Sequence, residues 1–480
     1  MKIGVIGSGM GSLSAGALLA KDGHAVHIIE QNYLPGGCTS SYYRKGFIFE
    51  AGATTVVGLD EQMPLQYILQ QTGIQLDLKI LDRPMQVLLK NGQRLERFAH
   101  LNDWIKEAER VFGPKGQAAF WRRCYAISQF VWQTSLQQQS FPPSSWRDLG
   151  PMLKGFRPKQ LAYAGLAFRS MKQLLQQYGL DKNPDFIAFV NEQLLITAQN
   201  YLEEVNVLFG ATALCYTLFG NYYIYGGGYQ LVRPFCDYIE QNGGKLHLKR
   251  KVEQIDRRNE QYILQTNQGP MAFDRLISGI PINNLLDIWP DSKLHKRYQK
   301  RLLDSPRLNS AFQLGIGFKR RKESPVLHHQ IHLKQPLSQI GSQSIFLSFS
   351  DPIDWYRAPL GQGVASVSTH IPDPAQRPVR DKAALEQEIL NVLDQEGYIA
   401  KDQILYTHSS ASGSWESWTQ RKFGFVGGYP QFFQIKPWQM LDARLEKGAY
   451  LCGDTAYPGQ GIPGVALSGI IAYRKLLLDG

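Results

Sequence analysis

The chain has 480 residues and a formal net charge of +11, from 52 Lys and Arg against 41 Asp and Glu. That length allows two or three domains with substantial cores and excludes a lone small binding module. With 43% hydrophobic and 19% charged residues the chain is basic but not highly charged, which excludes a disordered polymer.

The five cysteines, Cys38, Cys124, Cys215, Cys236 and Cys452, are scattered and contain no C-x-x-C pair, so neither a disulfide framework nor a zinc site is expected. The opening MKIGVIGSGMG reads as folded structure rather than as a secretory leader, and a cytoplasmic location is expected. Val205 to Val232 is long and uncharged but rich in Gly, Tyr and Asn, so it reads as buried interior rather than a membrane span.

Lys2 to Ile6 reads as a strand, Ser8 to Lys21 as a helix rich in small residues, and Ala25 to Ile29 as a second strand ending at Glu30, which is half of a βαβ unit. Residues 65 to 219 read as a mainly helical cap, broken at Phe112-Gly113-Pro114 and at the Pro and Ser cluster from Ser140 to Ser145. After Gly226-Gly227-Gly228, Leu231, Phe235 and Ile239 share a helical face that stops at Gly243-Gly244, and Lys245 to Val252 follows as an alternating strand. Phe312 to Phe318 and Ser344 to Phe349 belong to an expected antiparallel sheet, and Asp381 opens a helix with Leu385, Ile389 and Leu393 inward. The chain closes with a strand at Ala449 to Gly453, a glycine-rich loop and a helix from Gly464 to Leu478.

Between the first strand and helix lies GSGMGS, where Gly7, Gly9, Met10 and Gly11 let backbone approach a diphosphate at a helix N-terminus. The sixth position is Ser12 rather than Gly or Ala, which is expected to loosen helix–strand packing and not the phosphate contact. Glu30, 23 residues beyond Gly7, is placed to accept hydrogen bonds from a ribose diol and to repel a 2′-phosphate. This pair does not separate NAD from FAD. Near the other end, Asp454 follows an apolar strand and precedes glycines, so its carboxylate can accept from cofactor hydroxyls, while amides near Gly461 and Ile462 at a helix start favour a negative charge.

Gly36-Gly37-Cys38-Thr39-Ser40-Ser41 with the following GFIFEAGATTVVG resembles a segment of the amine oxidase and phytoene desaturase group of flavoproteins. GAYLCGDTAYPGQGIPGVALSG, from Gly448 to Gly469, resembles the closing flavin motif of the carotenoid desaturases and carotenoid cis-trans isomerases, and YGGGYQLV their middle motif. The resemblance implies an α/β fold, with a discontinuous FAD-binding Rossmann-like domain (residues 1–60, 225–285 and 440–480). It implies a second, substrate domain of mixed sheet and helical cap (61–224 and 286–439). FAD is the implied cofactor, held at Gly7, Gly9, Met10, Gly11, Glu30, Gly36, Gly37, Val252, Gly453, Asp454, Gly461, Ile462 and Val465, with adenine against the Val252 backbone.

The implied activity is desaturation of a long carotenoid-type polyene by hydride transfer from an allylic C–H to flavin N5, with no catalytic side chain required. Reduced-FAD-dependent cis-trans isomerisation is the alternative, followed by a non-catalytic prenyl carrier and a polar amine oxidase. Leu208, Phe209, Tyr216, Phe219, Tyr223 and Trp418 suit a dry substrate tunnel and equally suit plain core. WESWTQRKFGFVGGYP resembles the family segment before the closing motif, with Trp418, Arg421 and Gly427-Gly428 at matching positions.

Six basic residues between Ser140 and Leu180 face one acid, Asp148, among Trp146, Leu149, Leu153, Phe156 and Phe168. Such an amphipathic stretch suits peripheral attachment to an anionic membrane surface, or a solvated helical face, and no nucleic-acid module accompanies it. His328, His329 and His332 lack a neighbouring carboxylate or cysteine, and no metal is expected there.

Overall fold

The computed structural model describes residues 1–290, 292–321, 325–435 and 439–480. A six-stranded sheet runs in the order Arg444–Glu446, Ala449–Leu451, Arg275–Ser278, Lys2–Ile6, Ala25–Ile29, Lys245–His247. All its pairings are parallel except that of the two strands nearest the C-terminus. Lys2–Ile6 sits centrally because IGVI is apolar on both faces, as a strand buried on both sides must be. Helix Met10–Lys21 leaves it and returns the chain to Ala25–Ile29 on one side, whereas Arg275–Ser278 lies on the other, so a crevice opens at the strands' carboxyl ends.

Helices Met10–Lys21, Tyr229–Gln241 and Ile462–Asp479 cover one face of this sheet through a shared core that includes Leu13, Leu18, Leu231, Phe235, Ile239 and Ile470. A three-stranded antiparallel sheet, Val252–Arg258, Gln261–Thr266 and Met271–Phe273, packs with the opposite face, where Phe273 fills the space that a side chain at Gly4 would take. The expected strand from Lys245 to Val252 is therefore two strands in two sheets. The break falls at residues 248–251, where Lys249 takes a positive φ of 55°, and Val252 begins the second strand rather than ending the first.

A seven-stranded sheet forms the other half, in the order Ile404–Ser410, Asn309–Lys319, Gln362–Pro372, Ser344–Phe349, His328–His332, Met85–Leu88, Arg94–Arg97. Helix Lys382–Gln395 packs on it through Leu385, Ile389 and Leu393, and Asp381 caps that helix by accepting from the Ala384 N–H at 2.9 Å. The helical cap is real, with helices Leu101–Phe112, Gln117–Gln137, Pro184–Ala198 and Val207–Leu214 closing around Trp104, Trp121, Phe120, Phe186 and Phe189. It is interrupted by three strands where helix was expected: Leu78–Ile80, Met85–Leu88 and Arg94–Arg97. The last two extend the large sheet, and Met85–Leu88 finds its parallel partner in His328–His332, far along the chain and beyond any local periodicity.

Candidate functional site

The crevice at the carboxyl end of Lys2–Ile6 is a cleft of about 420 Å³. Gly7, Gly9, Met10, Gly11, Glu30, Gly36, Gly37, Val252, Gly453, Asp454 and Val465 all line it, from segments spread over the whole chain. Gly461 and Ile462 stand outside that lining, at the start of the closing helix.

The glycine loop is shaped for a close approach. A side chain at Gly9 would enter open space, whereas one at Gly11 would lie 2.9 Å from the Gly453 nitrogen, so the first helix meets the closing motif backbone to backbone. Gly36, with φ of 105°, turns its N–H onto both the carbonyl and the hydroxyl of Ser8 at 3.1 Å. Ser12 does not loosen the packing. Its hydroxyl occupies the space beside Gly279, where an added Cβ would fall 1.8 Å from Ser12 Oγ, so a glycine on the facing strand end compensates for the missing one in the helix.

Glu30 is fixed before any ligand arrives. Its Oε2 accepts from the Ser8 hydroxyl at 2.6 Å and the Ser8 N–H at 3.0 Å, and Oε1 accepts from the Asn32 N–H at 2.9 Å. The carboxylate stands in the cleft wall, where a ribose diol is held in this kind of fold. Burial pushes the Glu30 pKa up, and these donors work against that rise.

Asp454 is gripped bidentately by Arg421, with Nη1 to Oδ2 at 2.8 Å and Nη2 to Oδ1 at 3.1 Å. Burial opposes the charge on Arg421 and the Asp454 carboxylate more than offsets it, so the guanidinium pKa is raised. The segment carrying Arg421 spans the cleft. The Trp418 carbonyl accepts from Gln31 and Asn32 on the Glu30 bank, and Trp418 Nε1 donates to the Gly37 carbonyl at 3.5 Å. Trp418, Thr419, Gln420 and Arg421 all line the cleft, so Trp418 stands at the dinucleotide site.

Of the other residues suggested for a tunnel, Leu208, Phe209, Tyr216 and Phe219 pack partly buried against the helical core. Tyr223 belongs to the core of the large sheet and donates to Asp354 at 2.6 Å. His328, His329 and His332 are buried in one strand and engage Ser348 Oγ, the Val326 carbonyl and Gln330 Oε1 respectively. Sequence reading missed Ser8 and Gly279. A hydroxyl between the first two glycines was a usable signal for Ser8, but nothing local marked Gly279.

A parallel sheet with a glycine cradle, an acid at the end of the second strand and a helix start opposite defines a dinucleotide-cofactor oxidoreductase. The description of flavin-containing amine oxidoreductases matches residues 13–477, and the chain belongs to that family. Its cofactor is FAD, and the residues above fit it: the open space at Gly9 admits a diphosphate, and the Glu30 carboxylate lines the same cleft at the end of the second strand, where a ribose diol is held.

The chain is 23% identical to a chloroplastic prolycopene isomerase of Daucus carota, over 99% of this chain and 80% of the relative. It is 22% identical to a 4,4'-diapophytoene desaturase of Staphylococcus aureus (strain COL), over 100% and 99%. Among solved structures, an oxidoreductase from Methanosarcina mazei shares the fold with a TM-score of 0.65 at 17% identity, covering 99% of this chain and 100% of that one. The chain is thus an FAD-dependent oxidoreductase related to carotenoid desaturases and isomerases.

Proposed function

We propose that this chain acts on a long isoprenoid polyene of the carotenoid type and desaturates it. The observation that carries the reading is the outer face of the cap around residues 146–161. Trp146, Leu153 and Leu161 are 78%, 75% and 68% exposed there, and Arg147, Lys154, Arg157 and Lys159 are interleaved with them. A water-soluble amine needs no such face, whereas a polyene dissolved in lipid must be collected at an anionic membrane surface. Among the described residues no helix is long and apolar enough to cross a membrane, so the attachment proposed is peripheral. The full-length likeness to a diapophytoene desaturase supports the same substrate class.

When bound, FAD supplies a hydride acceptor. This chain's part is to hold it: the glycine loop takes the diphosphate, Glu30 the ribose, and Asp454, oriented by Arg421, the ribityl chain. The protein otherwise excludes water, because a cation spread over a conjugated polyene needs no strong side-chain base. Isomerisation is the second reading, favoured by the likeness to prolycopene isomerases, and it uses the same site without net redox change.

The test is anaerobic incubation of FAD-loaded protein with cis and all-trans carotenoid precursors in liposomes, with oxidised and with reduced flavin, followed by chromatography and absorption. Longer conjugation with flavin bleaching is expected for desaturation. A cis to trans change at constant mass, seen only with reduced flavin, replaces it with isomerisation. Absence of any polyene turnover overturns both readings.

A further inference from the structure

The loop of residues 351–361 joins strands Ser344–Phe349 and Gln362–Pro372 of the seven-stranded sheet, and its polarity is reversed. Ile353, Trp355, Tyr356 and Leu360 are 61%, 72%, 78% and 88% exposed, whereas its three charged residues, Asp351, Asp354 and Arg357, are buried. Each buried charge is partnered beneath the loop. Asp351 accepts from Lys79 Nζ at 2.7 Å, Asp354 accepts from the Tyr223 hydroxyl at 2.6 Å and the Gly226 N–H at 2.9 Å, and Arg357 Nη1 lies 3.0 Å from Glu50 Oε1. The backbone is tied down as well, since the Ile48 N–H donates to the Arg357 carbonyl at 2.9 Å and Arg357 Nε donates to the Ile48 carbonyl at 3.2 Å. Taking charges out of water is costly even when they are paired, and a loop that only connects two strands keeps such groups at the surface. Here the buried charges form a rigid base for four large apolar side chains turned to solvent, and a patch of that kind marks a contact surface.

Three features select a lipid bilayer as what it contacts. Trp and Tyr beside Leu and Ile are the side chains that settle at the boundary between headgroups and acyl chains. The N–H groups of Ile353, Asp354, Trp355 and Arg357 are satisfied inside the loop, by Asp351 Oδ1 and by the carbonyls of Asp351, Ile353 and Asp354, as a backbone that leaves water requires. The cap face interleaves its apolar residues with Arg and Lys and so suits an anionic surface, whereas this loop exposes no charge and suits a zwitterionic one.

We propose that the loop of residues 351–361 is a second membrane anchor, which inserts Ile353, Trp355, Tyr356 and Leu360 into the interface of a zwitterionic phospholipid bilayer. It holds by burial of apolar surface and not by charge, and it does not rest on the attachment proposed for the cap.

Flotation of the FAD-loaded protein with phosphatidylcholine vesicles tests this. The unmodified protein is expected to float, and joint replacement of Trp355, Tyr356 and Leu360 by Ser lowers its partition at least tenfold, because each change removes well-exposed apolar surface. Thermal stability and FAD affinity stay unchanged, since the buried charges beneath the loop are untouched. The protein carrying Trp146→Ser, Leu153→Ser and Leu161→Ser still floats, so failure of the cap face and failure of the loop are told apart. In that same protein, phosphatidylcholine brominated high on the acyl chains quenches tryptophan fluorescence, and adding Trp355→Phe removes the quenching while flotation persists. Absence of flotation, equal flotation after the triple change in the loop, or quenching unaltered by Trp355→Phe overturns the proposal. Self-association that the triple change abolishes while flotation is unchanged overturns it too, and assigns the loop to a second copy of the chain.

Discussion

Asp454 and Arg421 show why single residues here are read best as pairs. Asp454 was legible from its place after an apolar strand and before glycines, and the sequence resemblance marked Arg421 as a matching position. Neither signal said that one grips the other. The grip fixes both carboxylate oxygens of a residue that lines the cleft. Arg421→Ala is expected to weaken FAD binding about tenfold to a hundredfold, measured by quenching of flavin fluorescence, because a charged hydrogen-bonding partner is lost. Arg421→Lys restores only part of the affinity, since an ammonium cannot bind bidentately. A purely structural arginine would instead lower thermal stability and leave FAD affinity unchanged. Glu30 was equally legible, but Ser8, which presets it with two hydrogen bonds, was not, because a serine among glycines also suits any tight turn.

At the scale of elements, the strand His328–His332 carries a pH dependence. Burial lowers the pKa values of His328, His329 and His332 to about 3, 4 and 4, all below the ordinary 6.5. The unfolded chain therefore binds protons near pH 6.5 that the folded chain refuses until about pH 4. The stabilising contribution is complete above 6.5 and falls through that window as pH drops. Between pH 7 and 5 the loss amounts to roughly 1–2 kcal/mol per histidine, read as a lower urea midpoint. In His328→Phe the midpoint falls less over the same range; an unchanged pH dependence refutes the reading. The strands themselves were mostly legible. Ser344–Phe349 and the helix capped by Asp381 alternate or repeat as their burial requires, with Leu385, Ile389 and Leu393 inward. Met85–Leu88 and Arg94–Arg97 were not, because strands of four residues carry too little pattern and gain their stability from a partner in a distant part of the chain.

At the scale of the molecule, the two halves and one exposed face divide the work. The parallel sheet and its helices hold the cleft, the antiparallel sheet and cap hold the rest, and the cap turns apolar side chains to solvent around residues 146–161. Replacing Trp146, Leu153 and Leu161 together by Ser is expected to reduce co-sedimentation with vesicles containing anionic lipid at least tenfold. Each removes well-exposed apolar surface that a bilayer would bury. FAD affinity and thermal stability stay unchanged, because these side chains support no core. Undiminished sedimentation would show that the face serves another purpose.

The sequence by itself determined the βαβ opening, the glycine cradle, Glu30, the closing helix and the flavoprotein family, because each rests on residues close together in the chain whose spacing suits one local geometry. Only the tertiary structure decided that Gly279 makes room for Ser12, that Arg421 holds Asp454, and that Trp418 crosses the dinucleotide cleft. These are contacts between segments tens to hundreds of residues apart, where pattern in one segment carries no trace of its partner and only packing of the whole chain brings them within reach.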